Sequence, residues 1–165
     1  MRADDQVSDT SVLELFGGIG GMASASQMVG ATVRALVETE NVVKHLEYPV
    51  LVLQQSVVEP RYLSKVPRTR KVDGGAPCQP YAQSSKEFGR QTGAKSDEGK
   101  LSTWIPITAD ILDASHFALE NVATFGEKVS GIVAVKELAV VSTACGYIQV
   151  NSRHTCVSAG MASLP

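Results

Sequence analysis

The 165-residue chain has few of the features that would assign it quickly. It holds three cysteines, Cys78, Cys145 and Cys156, an odd number with no CxxC pair, which argues against a disulfide framework and a structural zinc site. Its three histidines, His45, His116 and His154, show no metal-ligand spacing, so no metal is expected. No apolar run reaches the roughly 18 residues of a membrane-spanning helix. The start, MRADDQVSDT, lacks the basic and apolar regions of a secretory signal. The expectation is an intracellular protein with no membrane partner, nuclear in a eukaryote and cytoplasmic in a bacterium. Neither sign of charge dominates, with 15 Lys and Arg against 17 Asp and Glu, which excludes a cationic nucleic-acid arm as a description of the whole chain. At 44% apolar and 19% charged residues, disorder is excluded in the same way.

What is present reads as one domain, residues 11–165, after a disordered lead-in at residues 1–10. Val12 to Phe16 is a short apolar run that ends at glycines, as a buried strand meeting a tight turn does. MASASQMVG then suits a helix closed by Gly30, and Val33 to Val37 is a second strand ending at Glu38. Asn41 to Glu47 reads as a helix and Val50 to Leu53 as a third strand. This alternation predicts an α/β, Rossmann-like fold: a parallel sheet with helices on both faces. Further on, Val66 to Ala76 is a weaker strand candidate, and Pro77 to Lys100 is the longest loop-like stretch. A helix from Leu101 or Ile105 to Ala114 leads to a fifth strand at His116 to Val122. Glu127 to Cys145 reads as a helical stretch capped by Gly146, and Tyr147 to Val150 as the start of a sixth strand.

Charge is unevenly placed. Residues 61–100 carry nine of the Lys and Arg against four acids, a local charge of +5 against −7 elsewhere. Such a segment is either a solvated loop or a phosphate-facing one.

Two constellations carry chemistry. Gly18-Ile19-Gly20-Gly21-Met22-Ala23 has the form G-x-G-x-x-A between a strand and a helix, and Glu38 follows Gly18 by 20 residues at the tip of the next strand. That is the spacing of a nucleoside-cofactor site, where glycines let the backbone approach the ligand and a carboxylate accepts ribose hydroxyls. The pattern does not separate NAD from S-adenosylmethionine, and such turns also serve simply to pack a helix on a strand. The second is Cys78, between Pro77 and Gln79 in a polar, basic stretch just beyond the fourth strand. Structural cysteines usually have apolar neighbours, so this setting favours a nucleophile. Cys145 and Cys156 read as structural.

Together these motifs resemble the amino-terminal part of the cytosine-C5 methyltransferase family. ELFGGIGG (Glu14 to Gly21) is similar to its cofactor motif, Glu38 to its ribose-binding acid, GGAPCQPYA (Gly74 to Ala82) to its nucleophile loop, and Glu120-Asn121-Val122 to its ENV motif, in the family's order. The resemblance implies S-adenosylmethionine as cofactor, held by Phe16, Gly18, Ile19, Gly20, Gly21, Glu38, Thr39, Ser56, Val57 and Leu101. It implies Cys78 as the nucleophile on C6 of cytosine, Glu120 as the group that protonates N3, and Asn121 as a brace for the Pro77-Cys78 loop. Tyr81 takes the family's aromatic position after PCQ. The implied partner is DNA, with the target base flipped out of the duplex; RNA is the alternative, because a tRNA-directed branch shares PCQ and ENV.

Three departures stand out. Glu14 replaces the family's usual Asp. The acid expected to meet the adenine amino group is replaced around Gln55-Ser56-Val57, where Ser56 offers an acceptor. GYIQVNSRHTCVSAGMASLP ends about where the family continues into an arginine-bearing motif and its target-recognition region, and Arg153 is read as lying before that motif. The domain is therefore expected to be truncated, with the seventh strand missing or supplied in trans by a carboxyl-terminal half. An unpaired sheet edge would then favour self-association, and the isolated chain would have little or no activity. Two rival readings stand: a non-catalytic remnant or partner-binding module, and an NAD-dependent oxidoreductase that would leave Cys78 and ENV unexplained.

Overall fold

In the structure, a computed structural model, residues 10–40, 50–80, 96–122, 136–141 and 152–157 are described. The elements in chain order are β1 (Ser11–Leu15), α1 (Gly21–Met28), β2 (Thr32–Glu38), β3 (Leu51–Gln54), a 3-10 turn (Pro60–Ser64), β4 (Lys71–Gly74), α2 (Asp97–Leu101), α3 (Trp104–Ile111), β5 (His116–Val122), β6 (Lys136–Val141) and β7 (Ser152–Val157). The strands form one seven-stranded sheet in the order β3-β2-β1-β4-β5-β7-β6. β1 to β5 run parallel, and β7 lies antiparallel between β5 and β6.

β1 is buried at every residue, as a central strand covered on both faces must be. Alternation sends its side chains into two cores. Val12 joins Ala23 of α1 with Val33 and Leu36 on one face. Leu13 and Leu15 join Val37, Val72, Ile105, Ala109 and Phe117 on the other, beneath α3. Each fully buried Leu or Ile stabilises the fold by about 1.5–3 kcal/mol.

The 3-10 turn is pinned from below. Tyr62 is fully buried, and its hydroxyl meets Thr108 Oγ1 of α3 at 2.5 Å. Tyr62→Phe strands the Thr108 hydroxyl, and an unmet buried hydroxyl costs about 1–3 kcal/mol. Urea unfolding of the variant should show a lower midpoint with an unchanged slope; an equal midpoint would mean that the bond adds nothing net.

Several expectations are corrected. The fourth strand is confined to Lys71–Gly74, because Pro67 and the residues around it lead into the sheet without joining it. Of the two starts expected for the helix up to Ala114, Ile105 is the nearer: α3 runs from Trp104 to Ile111, three residues short of Ala114. α2 lies almost wholly in the stretch read as a loop and is separated from α3 at Ser102-Thr103, where each hydroxyl turns back to a carbonyl of α2, Ser102 Oγ to Gly99 and Thr103 Oγ1 to Lys100. Within the stretch read as helical, Lys136–Val141 is a strand. The seventh strand, expected to be missing or supplied in trans, is present as Ser152–Val157: β5 is paired from Ala118 to Val122 with β7, so the unpaired edge expected there does not exist. The proposed helix at 41–47, Tyr81 and the strand start at 147–150 lie outside the described residues. Among the described residues no helix is long and apolar enough to cross a membrane, and no group of His, Cys, Asp and Glu is placed to hold a metal.

The basic segment is divided. Arg68 and Arg70 are exposed just before β4, at the amino-terminal edge of the sheet, and Lys100 lies on α2, next to the pocket-lining Leu101. Arg68 and Arg70 are thus at the end of the parallel strands opposite the one where ligands bind in such sheets.

Candidate functional site

The site forms where β1, β2, β3 and β4 end. After Leu15 the chain turns left-handed at Phe16 (φ 57°), Gly18 (φ 50°) and Gly20 (φ 83°) before entering α1. For Phe16, which has a Cβ, that conformation is strained, and strain of this kind gathers at ligand sites. Gly17 has no alternative: a Cβ there would lie 2.3 Å from Leu36 Cγ, in the core. The turn closes through Gly20 N–H on the Gly17 carbonyl at 2.7 Å.

Glu38, at the tip of β2, is tied to that turn. Gly18 N–H donates to its Oε2 at 2.8 Å; Thr39 N–H (2.6 Å), Thr39 Oγ1 (3.0 Å) and Glu40 N–H (3.2 Å) donate to Oε1. Burial works to raise its pKa, but the hydrogen bonds from Gly18, Glu40 and Thr39 outweigh it and hold the carboxyl below its ordinary value. Oε1 is thus fully engaged, and the acceptor capacity left for a ligand lies on Oε2.

A cavity of about 470 Å³ opens here, lined among others by Phe16, Gly18, Ile19, Glu38, Thr39, Ser56, Val57 and Leu101. Each was expected at the cofactor site. Gly20 and Gly21 are not among the lining residues; they shape the turn and start α1. Val37, Glu40, Gln55, Gly75 and Gln79 also line the cavity and were not assigned to it from the sequence. None of them belongs to a motif in the sequence, and they meet only when β2, β3 and the residues after β4 are brought side by side.

The far wall is the loop after β4. Pro77 and Gln79 line the cavity on either side of Cys78, a half-buried free thiol. This loop meets the end of β5: Asn121, almost fully buried, donates from Nδ2 to the Ala76 carbonyl at 3.3 Å, and a Cβ on Gly75 would lie 3.3 Å from Glu120 Oε2. One strand over, Arg153 of β7 is in register with Val122, and Thr155 with Glu120.

The strand order with its antiparallel seventh strand, together with a cavity at the carboxyl edge, is the arrangement of the S-adenosylmethionine-dependent methyltransferase fold. The chain belongs to the family of C-5 cytosine-specific DNA methylases, whose model matches residues 10–147. Solved structures of similar fold include a prophage-encoded DNA modification methyltransferase from E. coli (TM-score 0.62, 19% identity, 89% of this chain and 45% of that one). The Dnmt2 methyltransferase of S. pombe aligns at TM-score 0.63 and 16% identity, over 89% of this chain and 48% of that one. The methyltransferase EhMeth of Entamoeba histolytica aligns at 0.56 and 18%, over 89% and 52%. The chain thus spans about half the length of these structures. No match is found among curated protein sequences.

Proposed function

We propose that the chain forms the cofactor-binding and nucleophile-bearing part of an enzyme that methylates C5 of cytosine in DNA, with S-adenosylmethionine as donor. The observation that carries this reading is that one cavity is walled on one side by the glycine turn and Glu38, and on the other by the residues flanking Cys78. The residues fit such a cofactor. Glu38 Oε2 retains acceptor capacity for a ribose hydroxyl, the Phe16–Gly20 turn presents backbone in place of side chains, and the volume suits a nucleoside-sized ligand. When bound, the cofactor supplies an electrophilic methyl group.

The protein's part is to make cytosine C5 nucleophilic. Cys78, as thiolate, adds to C6; Glu120 donates a proton to N3, so that the electron pair pushed through the ring is available at C5. After methyl transfer, loss of the C5 proton to a base restores the double bond and expels Cys78 as thiolate, and N3 returns its proton to Glu120. Asn121 positions the loop through the Ala76 carbonyl.

The direct test is transfer of a labelled methyl group to duplex DNA and to tRNA, by the chain alone and with a carboxyl-terminal half supplied. Label on the C5 of DNA cytosine supports the reading; label on tRNA alone replaces DNA with RNA; no label in any arm favours a non-catalytic role. The cofactor arm has its own prediction. Glu38→Ala removes the charged acceptor and frees Gly18 N–H, so calorimetry should show S-adenosylmethionine binding weakened by at least about tenfold. An unchanged dissociation constant would show that Glu38 does not meet the ligand.

A further inference from the structure

Two of the buried oxygens left without a hydrogen-bond partner belong to acids that stand side by side at the centre of the sheet. Glu14 of β1 and Asp73 of β4 are in register on neighbouring parallel strands, about 4.8 Å apart, so their side chains leave the same face. Both residues are at most 2% exposed, and Glu14 Oε2 and Asp73 Oδ1 have no partner. The remaining capacity of each carboxyl is used: Asp73 Oδ2 is met by Lys71 Nζ at 2.9 Å, and Glu14 takes the N–H groups of Met22 and Ala23. Two ionised carboxylates in this position repel, and each orphaned oxygen carries the cost of an unmet acceptor. One proton removes both costs. A metal ion is the poorer occupant, because among the described residues no third His, Cys, Asp or Glu completes a ligand group with them. Burial, joined by the charge of Asp73 and opposed by the N–H groups of Ala23 and Met22, pushes the Glu14 pKa up to about 8; burial also raises Asp73, against Lys71. β1 and α1 carry no other charged residue. β2 brings Glu38 at its tip and the exposed Arg34, and β5 turns the Ala118 N–H to Asp73, with His116 and Glu120 further along that strand.

We propose that Glu14 and Asp73 share one proton, Glu14 Oε2–H donating to Asp73 Oδ1, and that this bond positions the glycine turn against the strand that leads to Cys78. The inference rests on the nucleoside-cofactor reading above. Through Met22 and Ala23, Glu14 holds the first turn of α1, directly after the Phe16–Gly20 turn. Asp73 is followed by Gly74 and by the cavity-lining Gly75, and the loop with Pro77 and Cys78 comes next. The proton therefore joins the two walls of the cavity at their roots. When it is lost, two like charges stand side by side where water does not screen them, and the turn and the loop are pushed apart. Cofactor binding thus weakens as pH rises through the range in which the pair ionises.

The test has two readouts, the first without ligand, on the wild-type chain, Glu14→Gln and Asp73→Asn, with circular dichroism to confirm that each is folded. Infrared spectra at neutral pH should contain the carbonyl stretch of a protonated carboxyl group, which exposed Asp and Glu do not give because they are ionised there. The band is expected to vanish in Glu14→Gln and to shift in Asp73→Asn. No band lost in Glu14→Gln, or a lost band that Asp73→Asn leaves unshifted, overturns the inference. The second readout is calorimetric binding of S-adenosylhomocysteine between pH 6 and pH 9. The wild-type affinity should fall about three- to thirtyfold further over this range than that of Glu14→Gln, whose amide donates to Asp73 at every pH. The ligand's own amino group titrates alike against both proteins, so the difference between them carries the result. Parallel profiles for two proteins that both bind overturn this inference alone. Failure of the folded wild type to bind at any pH overturns the cofactor reading and the positioning role with it.

Discussion

Cys78→Ala is expected to reduce methyl transfer by at least about a thousandfold, because removing a covalent nucleophile removes the whole route through the adduct. The same variant should bind S-adenosylmethionine as the wild type does. Pro77 and Gln79 line the cavity and Cys78 does not, so loss of the thiol leaves the lining of the cavity unchanged. The side chain is half-buried, and truncating it opens no cavity in either core. The two readouts therefore separate chemistry from folding. DNA carrying 5-fluorocytosine provides an independent check: fluorine at C5 cannot leave as a cation, so the bond between Sγ and C6 persists and the protein should migrate covalently with the DNA. Measurable turnover by the alanine variant, supplied with the same carboxyl-terminal half as the wild type, would remove Cys78 from the mechanism.

How much of this was legible in the sequence depends on whether the signal was local. His116–Val122 was read with its observed bounds, and β1, β2 and β3 to within a residue at each end, because each is a short apolar run closed by glycine or polar residues. The glycine turn and Glu38 were legible as a spacing. Their direct bond was not: Gly18 reaches Glu38 because parallel pairing aligns Leu15 with Val37 and places both strand ends together. Lys136–Val141 was misread because Lys, Glu, Leu and Ala favour helices, and pairing with β7 overrides that preference. Ser152–Val157 was missed for a related reason. SRHTCV has no apolar run, and its strand character comes from partners on both sides, one of them more than thirty residues earlier in the chain.

The stability of the domain is expected to fall as pH rises from about 4.5 through about 8, and Glu14 is the principal cause. Glu14 points from β1 toward the start of α1, where Gly20 provides no side-chain cap, and the N–H groups of Met22 and Ala23 bond its carboxyl. Its other oxygen, Oε2, is buried without a partner, and Asp73 lies in register on β4. Burial, reinforced by the charges of Asp73 and Glu38 against the two N–H bonds, pushes its pKa from 4.5 up to about 8. The native state thus holds a proton that the unfolded chain releases above about 4.5, so unfolding gains on folding by up to ~1.4 kcal/mol per pH unit, on the order of 3–5 kcal/mol across the window. Asp73 acts in the same sense: burial raises it, though Lys71 at 2.9 Å opposes the shift. Glu38 acts oppositely, since its lowered pKa gives stability that is present above its unfolded value and lost only as pH falls below it. The two effects therefore occupy different pH ranges. Glu14→Gln keeps the size and an acceptor for Met22 and Ala23 without a charge to bury. Urea unfolding at pH 5, 6, 7 and 8 should show a flatter profile for the variant, which overtakes the wild type at the alkaline end. Parallel profiles would mean that Glu14 titrates normally in the folded protein and that another group sets the slope.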